Sequence, residues 1–75
     1  MPETLASVST GRPFRVMEVR GGRELRTRLA ALGVLPGVML QVLLRGPLGG
    51  PVLVEVAGAR LAIGRRMAHR VLVEP

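Results

Sequence analysis

The chain contains no cysteine, tyrosine, tryptophan, lysine or aspartate, and its single histidine is His69. Each absence removes a class of chemistry or of stabilisation. Without cysteine there is neither a disulfide staple nor a thiolate metal site, which is in keeping with a reducing compartment. A metal site would have to combine His69 with scattered glutamates, none of which stands at ligand spacing from it, so neither a metal residue nor a cofactor is expected. A hydrolytic triad could start only from Ser7 or Ser9, in a segment with no nucleophile-elbow pattern, and no enzymatic activity is expected. The missing Tyr and Trp exclude an aromatic-lined groove for polyproline peptides. Long apolar runs are missing too. The longest, Val34 to Leu44, is interrupted by Pro36, Gly37 and Gln41, whereas a spanning helix needs about 20 apolar residues. The start, Met1-Pro2-Glu3-Thr4, lacks the basic region of a signal peptide, and a cytoplasmic location follows as the expectation.

What is present is an apolar and basic chain. Of 75 residues 48% are apolar, so a core is affordable, and eleven arginines against five glutamates leave a net charge of +6. The length predicts one domain over residues 1–75, burying only about 60% of its unfolded surface. The arginine excess has two readings, a basic docking surface or the codon usage of a GC-rich genome.

Ten glycines and six prolines cut the chain into short elements. Phe14 to Val19 reads as a strand whose alternation fails at Glu18, which a bulge at Met17-Glu18 would reconcile. From Arg23 to Leu32 the period changes to 3.6, with Leu25, Leu29 and Leu32 at i, i+4 and i+7, and Glu24 and Arg28 form an i, i+4 pair. Gly33 fits the left-handed position after this helix, letting Val34 touch Leu29 in a Schellman motif. Leu35-Pro36-Gly37-Val38 then fits a type II turn. Val38 to Arg45 reads as a strand with Val38, Leu40, Val42 and Leu44 inward and Met39, Gln41, Leu43 and Arg45 outward. Gly46 to Pro51 is a loop, Val52 to Val56 a strand with its three valines inward, and Arg60 to Ile63 another after a turn at Gly58. A short helical turn at residues 64–69 and a strand from Arg70 to Glu74 complete the reading. About five short strands and one helix predict a mainly β fold, a small closed or partly open barrel.

Three stretches carry a family resemblance. They are Leu29-x-x-Leu32-Gly33-x-Leu35-Pro36-Gly37, then Gly46-Pro47-Leu48-Gly49-Gly50-Pro51-Val52, then Leu61-x-Ile63-x-x-x-x-Ala68-x-x-Val71-x-Val73. Together they resemble the bacterial ferrous iron transport protein A (FeoA) family over about residues 5 to 74. The resemblance implies an SH3-like β-barrel and a cytoplasmic accessory of the FeoB-type membrane transporter, whose N-terminal part binds GTP. It also implies a place at the inner membrane through that transporter. The same module occurs at the C-terminus of iron-dependent repressors, but no helix-turn-helix precedes it here, so a free-standing form is expected. The family's label of transition metal binding finds no ligand set in these residues.

The motif residues Gly33, Pro36 and Gly37 are best explained as helix stop and turn, with Leu29, Leu32 and Leu35 as their apolar frame and Pro47, Gly49 and Pro51 as a stiff loop. No P-loop lysine follows them. Leu48, at the centre of that loop, is either an exposed anchor or a lid folded over the barrel end. Met39, Leu43, Leu53 and Leu72 fall on outward faces that one helix cannot cover, and such patches mark partner surfaces or a homo-oligomer contact. Arg20 and Arg23, flanking Gly21-Gly22, would rim that patch or reach a partner's nucleotide as an arginine finger. The competing function is a basic, nucleic-acid-binding small barrel, which the charge supports. Against it, Phe14 alone cannot supply a stacking platform.

Overall fold

Bulges, more than simple alternation, decide which residues of the strands reach the core. The computed structural model describes residues 3–75. Met1 and Pro2, where the predicted domain begins, lie outside the described residues. The elements in order are β1 (Glu3–Thr4), β2 (Pro13–Val19), α1 (Arg23–Ala31), β3 (Met39–Arg45), β4 (Val52–Val56), β5 (Ala59–Ile63), α2 (Arg65–Ala68) and β6 (Val71–Glu74). All strands pair antiparallel in one six-stranded sheet of order β1-β6-β2-β3-β4-β5. The sheet curls without closing, as in SH3-like folds. The sixth strand, β1, has only two residues and no alternation to read, which is why periodicity predicts about five.

The core is made of Phe14 and aliphatic side chains from every strand but the first, with Leu29 of α1, Val34, Ala68 of α2 and a long N-terminal contribution. Leu5 and Val8 are fully buried, so the segment after β1 packs into the core. Among the described residues no polar or charged side chain is buried. The valines of β4 point inward as their alternation predicts, Val52, Val54 and Val56 all being buried.

The predicted bulge in β2 is present: the register with β6 shifts between Val16 and Glu18, which lets both Val16 and Val19 reach the core. A second shift, between Val42 and Leu44 of β3, overturns the expected faces beyond it. Leu44 is turned out to 54% exposure, Leu43 is half-buried, and Arg45 swings to the inner side at the barrel's end. One extra residue in a strand exchanges the two faces downstream of it. There the half-buried Arg45 guanidinium donates to the carbonyls of Ala6 (3.0 Å), Leu5 (3.5 Å) and Val8, tying the N-terminal segment to the sheet.

Candidate functional site

α1 stops where the sequence predicts. The Gly33 N–H donates to the Ala30 carbonyl and the Val34 N–H to the Leu29 carbonyl, both at 2.9 Å, while Gly33 takes φ +93°. These are the two bonds of a Schellman motif, and its apolar contact is the fully buried pair Leu29 and Val34. Leu32, expected on the apolar face, is the cap residue instead and is 45% exposed. The helical turn ends at Ala31, so position 32 no longer faces the sheet. The expected Glu24–Arg28 pair does not form. Arg26 instead donates to the Gly21 carbonyl at 2.8 Å, and the ion pairs among the described residues are Arg15–Glu74 and Arg20–Glu18.

The Leu35–Val38 turn closes with a 3.2 Å bond from the Val38 N–H to the Leu35 carbonyl, with Gly37 at φ +94°. It is stitched to β2 by bonds from Gly37 N–H to the Val16 carbonyl (2.8 Å) and from Val16 N–H to the Val38 carbonyl (2.9 Å). Leu35 is 40% exposed, and both Met17, at the β2 bulge, and Met39 are also exposed. The turn residues thus hold the helix exit against the sheet while leaving apolar side chains at its surface.

The Gly46–Pro51 loop is where exposure and backbone geometry diverge most from what a solvated loop needs. The Gly50 N–H donates to the Pro47 carbonyl at 3.0 Å, and both residues between them, Leu48 (φ +56°) and Gly49 (φ +75°), are left-handed. Such a turn favours Asn or Gly at its first central position, and a bulky side chain there is strained. Leu48 nevertheless occupies it with its side chain fully in solvent, so it is no lid over the barrel. Arg65 of α2 holds the loop from beneath, its Nε donating to the Gly50 carbonyl (3.0 Å) and its Nη2 to that of Gly46 (3.2 Å). Pro47, Gly49 and Pro51 are exposed around it.

The other expected surface residues scatter. Met39 is exposed, but Leu43 and Leu53 are half-buried, and Leu72 is only 7% exposed and drops out of any contact surface. Leu72 lies on the central strand of its region, with Thr4 and Glu18 as its neighbours in register on the two flanking strands, and these leave it little solvent. In their place Leu44 faces out with Leu53 and Ala62 beside it in register across β3, β4 and β5, a row that the β3 bulge hides from sequence reading. Arg20 and Arg23 are both exposed, Arg20 within 3.5 Å of Glu18. Among the described residues no three His, Cys, Asp or Glu side chains come together as metal ligands would, and His69 is exposed.

Comparison with known proteins places this geometry. The profile of the FeoA domain matches residues 3–75. A putative Fe(2+) transport protein A of Methanocaldococcus jannaschii is 31% identical over 93% of this chain and 83% of its own length. A crystal structure of the iron uptake regulatory protein FeoA superposes with a TM-score of 0.90 at 36% identity, covering 99% of this chain and 97% of the other. The zinc-complexed FeoA of Stenotrophomonas maltophilia, described as a prokaryotic SH3 domain protein, superposes at 0.79 with 29% identity, covering 96% and 89%.

Proposed function

Because the chain belongs to the FeoA family, whose members are accessories of ferrous iron transport, we propose that it docks onto the cytoplasmic GTP-binding part of a FeoB-type membrane transporter. Leu48 carries the reading. A leucine held in a left-handed turn, fully exposed and braced from below by Arg65, is conformationally and hydrophobically unfavourable in the free protein. Burial in a partner's pocket would offset that second disadvantage, and a rigid loop loses little entropy on binding. Leu44 and Met39 add exposed apolar side chains on the sheet's outer face, and the net positive charge, Arg20 and Arg23 included, steers approach at long range.

Titration calorimetry with the isolated cytoplasmic domain of the transporter tests this. Leu48→Asn should abolish binding while the fold persists; unchanged affinity would remove the loop from the interface. Arg20→Ala and Arg23→Ala should lower affinity in a salt-dependent way and leave GTP hydrolysis at saturating protein unaltered, as steering requires. An arginine finger would instead lose all stimulation at saturation. Nucleic-acid binding is the weaker reading, because Phe14 is 2% exposed and offers no face for base stacking.

A further inference from the structure

Arginines far apart in sequence meet at one corner of the molecule. The end of β2 and the start of β6 run side by side with Val19 opposite Val71, and the Arg20 N–H donates to the Arg70 carbonyl at 2.8 Å. That contact sets the 20–23 segment beside residues 66–70, so Arg20, Arg23, Arg66 and Arg70 share the corner, all exposed. Elsewhere five guanidinium groups are committed, Arg26, Arg45 and Arg65 to carbonyls, Arg15 to Glu74 and Arg12 over the Phe14 ring, while Arg28 and Arg60 stand exposed on other elements. Among the described residues Arg23, Arg66 and Arg70 have no ion pair and no side-chain hydrogen bond, and Arg20 has only the exposed Glu18.

We propose that this corner binds the anionic headgroups of a lipid bilayer, holding the protein at the membrane surface independently of the transporter. The proposal rests on the accessory reading above only for the presence of a membrane nearby. Guanidinium forks match phosphate oxygens in pairs, and a bilayer presents mobile phosphates that adapt to charges set on a turn and a short helix, with no shape match needed. A nucleic acid would want exposed aromatic faces, and the one aromatic side chain is buried.

Placement within the sheet separates the corner from the Leu48 loop. In the β2–β3 ladder Arg15 faces Met39 and Pro13 faces Gln41, so the two strands run in opposite directions. β2 therefore reaches the basic corner at the end opposite to that where β3 runs on into the Leu48 loop. α2 spans the distance between the two, with Arg65 at the Leu48 loop and Arg70 at the corner, so the exposed tip of the loop stays apart from the Arg20–Arg70 contact.

The test is cosedimentation of the full chain with vesicles of phosphatidylcholine alone or doped with phosphatidylglycerol. Binding should appear only with phosphatidylglycerol, fall as salt rises, and drop about fivefold for each arginine removed in Arg66→Ala and Arg70→Ala. The double variant Arg28→Ala/Arg60→Ala removes the same charge from exposed sites away from the corner and should bind nearly as the parent does. Equal loss in both double variants, equal binding to neutral vesicles, or no binding at low salt would overturn the proposal. So would tighter binding to a mixed-sequence RNA oligomer that the corner variants lose. Calorimetry with the soluble transporter domain, without vesicles, reads the docking proposal separately: Leu48→Asn should lose that binding and keep its binding to phosphatidylglycerol vesicles.

Discussion

Leu48 sets stability against binding at a single position. A left-handed conformation at a non-glycine residue costs on the order of 1–3 kcal/mol, and Asn tolerates it far better than Leu does. Leu48→Asn is therefore expected to raise the melting temperature by a few degrees, measured by calorimetric scanning, even as it removes partner binding. A lower melting temperature would show that the leucine stabilises the fold. Gly33 is the opposite case. A Cβ at this position would meet Val56 Cγ1 at 3.6 Å, ordinary contact, so space is not what selects glycine. The φ of +93° is. Gly33→Val should cost more than about 1 kcal/mol in denaturant titration, and Gly33→Asn distinctly less.

At the scale of elements, the two bulges show what was legible and what was not. The β2 bulge is written into the sequence because Glu18 falls where an apolar residue was due, and only an extra residue lets Val16 and Val19 both reach the core. The β3 bulge leaves no such trace. Met39 to Leu44 is apolar on both faces apart from Gln41, so alternation is satisfied equally well by the straight strand and the bulged one. Leu44 was expected inside and Arg45 outside, and both are reversed. The outcome has a measurable form: Leu44→Gln should change stability by no more than about 0.5 kcal/mol, as at an exposed site. Arg45→Met should cost about 2 kcal/mol, because the carbonyls of Leu5, Ala6 and Val8 lose a charged donor. Equilibrium unfolding checks both, and hydrogen exchange should show the N-terminal segment opening first in the Arg45 variant. Helix stop, turn and loop were legible because Gly and Pro act locally. The β1 strand and the Arg20–Arg70 contact were not, being pairings between residues distant in sequence with no local pattern.

For the molecule as a whole, charge and ligand inventory have separate consequences. Anaerobic titration with ferrous iron should reveal no site tighter than about micromolar, near −8 kcal/mol, since His69 stands exposed with no grouped ligands among the described residues. A tight one-to-one isotherm lost in His69→Ala would contradict this. The sheet order has a consequence for how the protein is made. β6 lies between β1 and β2, so the strands synthesised first are joined only by the one synthesised last. While the nascent chain is still emerging from the ribosome, Leu5, Val8, Val16 and Val19 have no β6 to pack beside. Folding must wait until Val71–Glu74 has left the exit tunnel. A chain stalled short of that segment keeps these apolar side chains available to chaperones and proteases, whereas one extended by a linker past Pro75 can fold while still tethered.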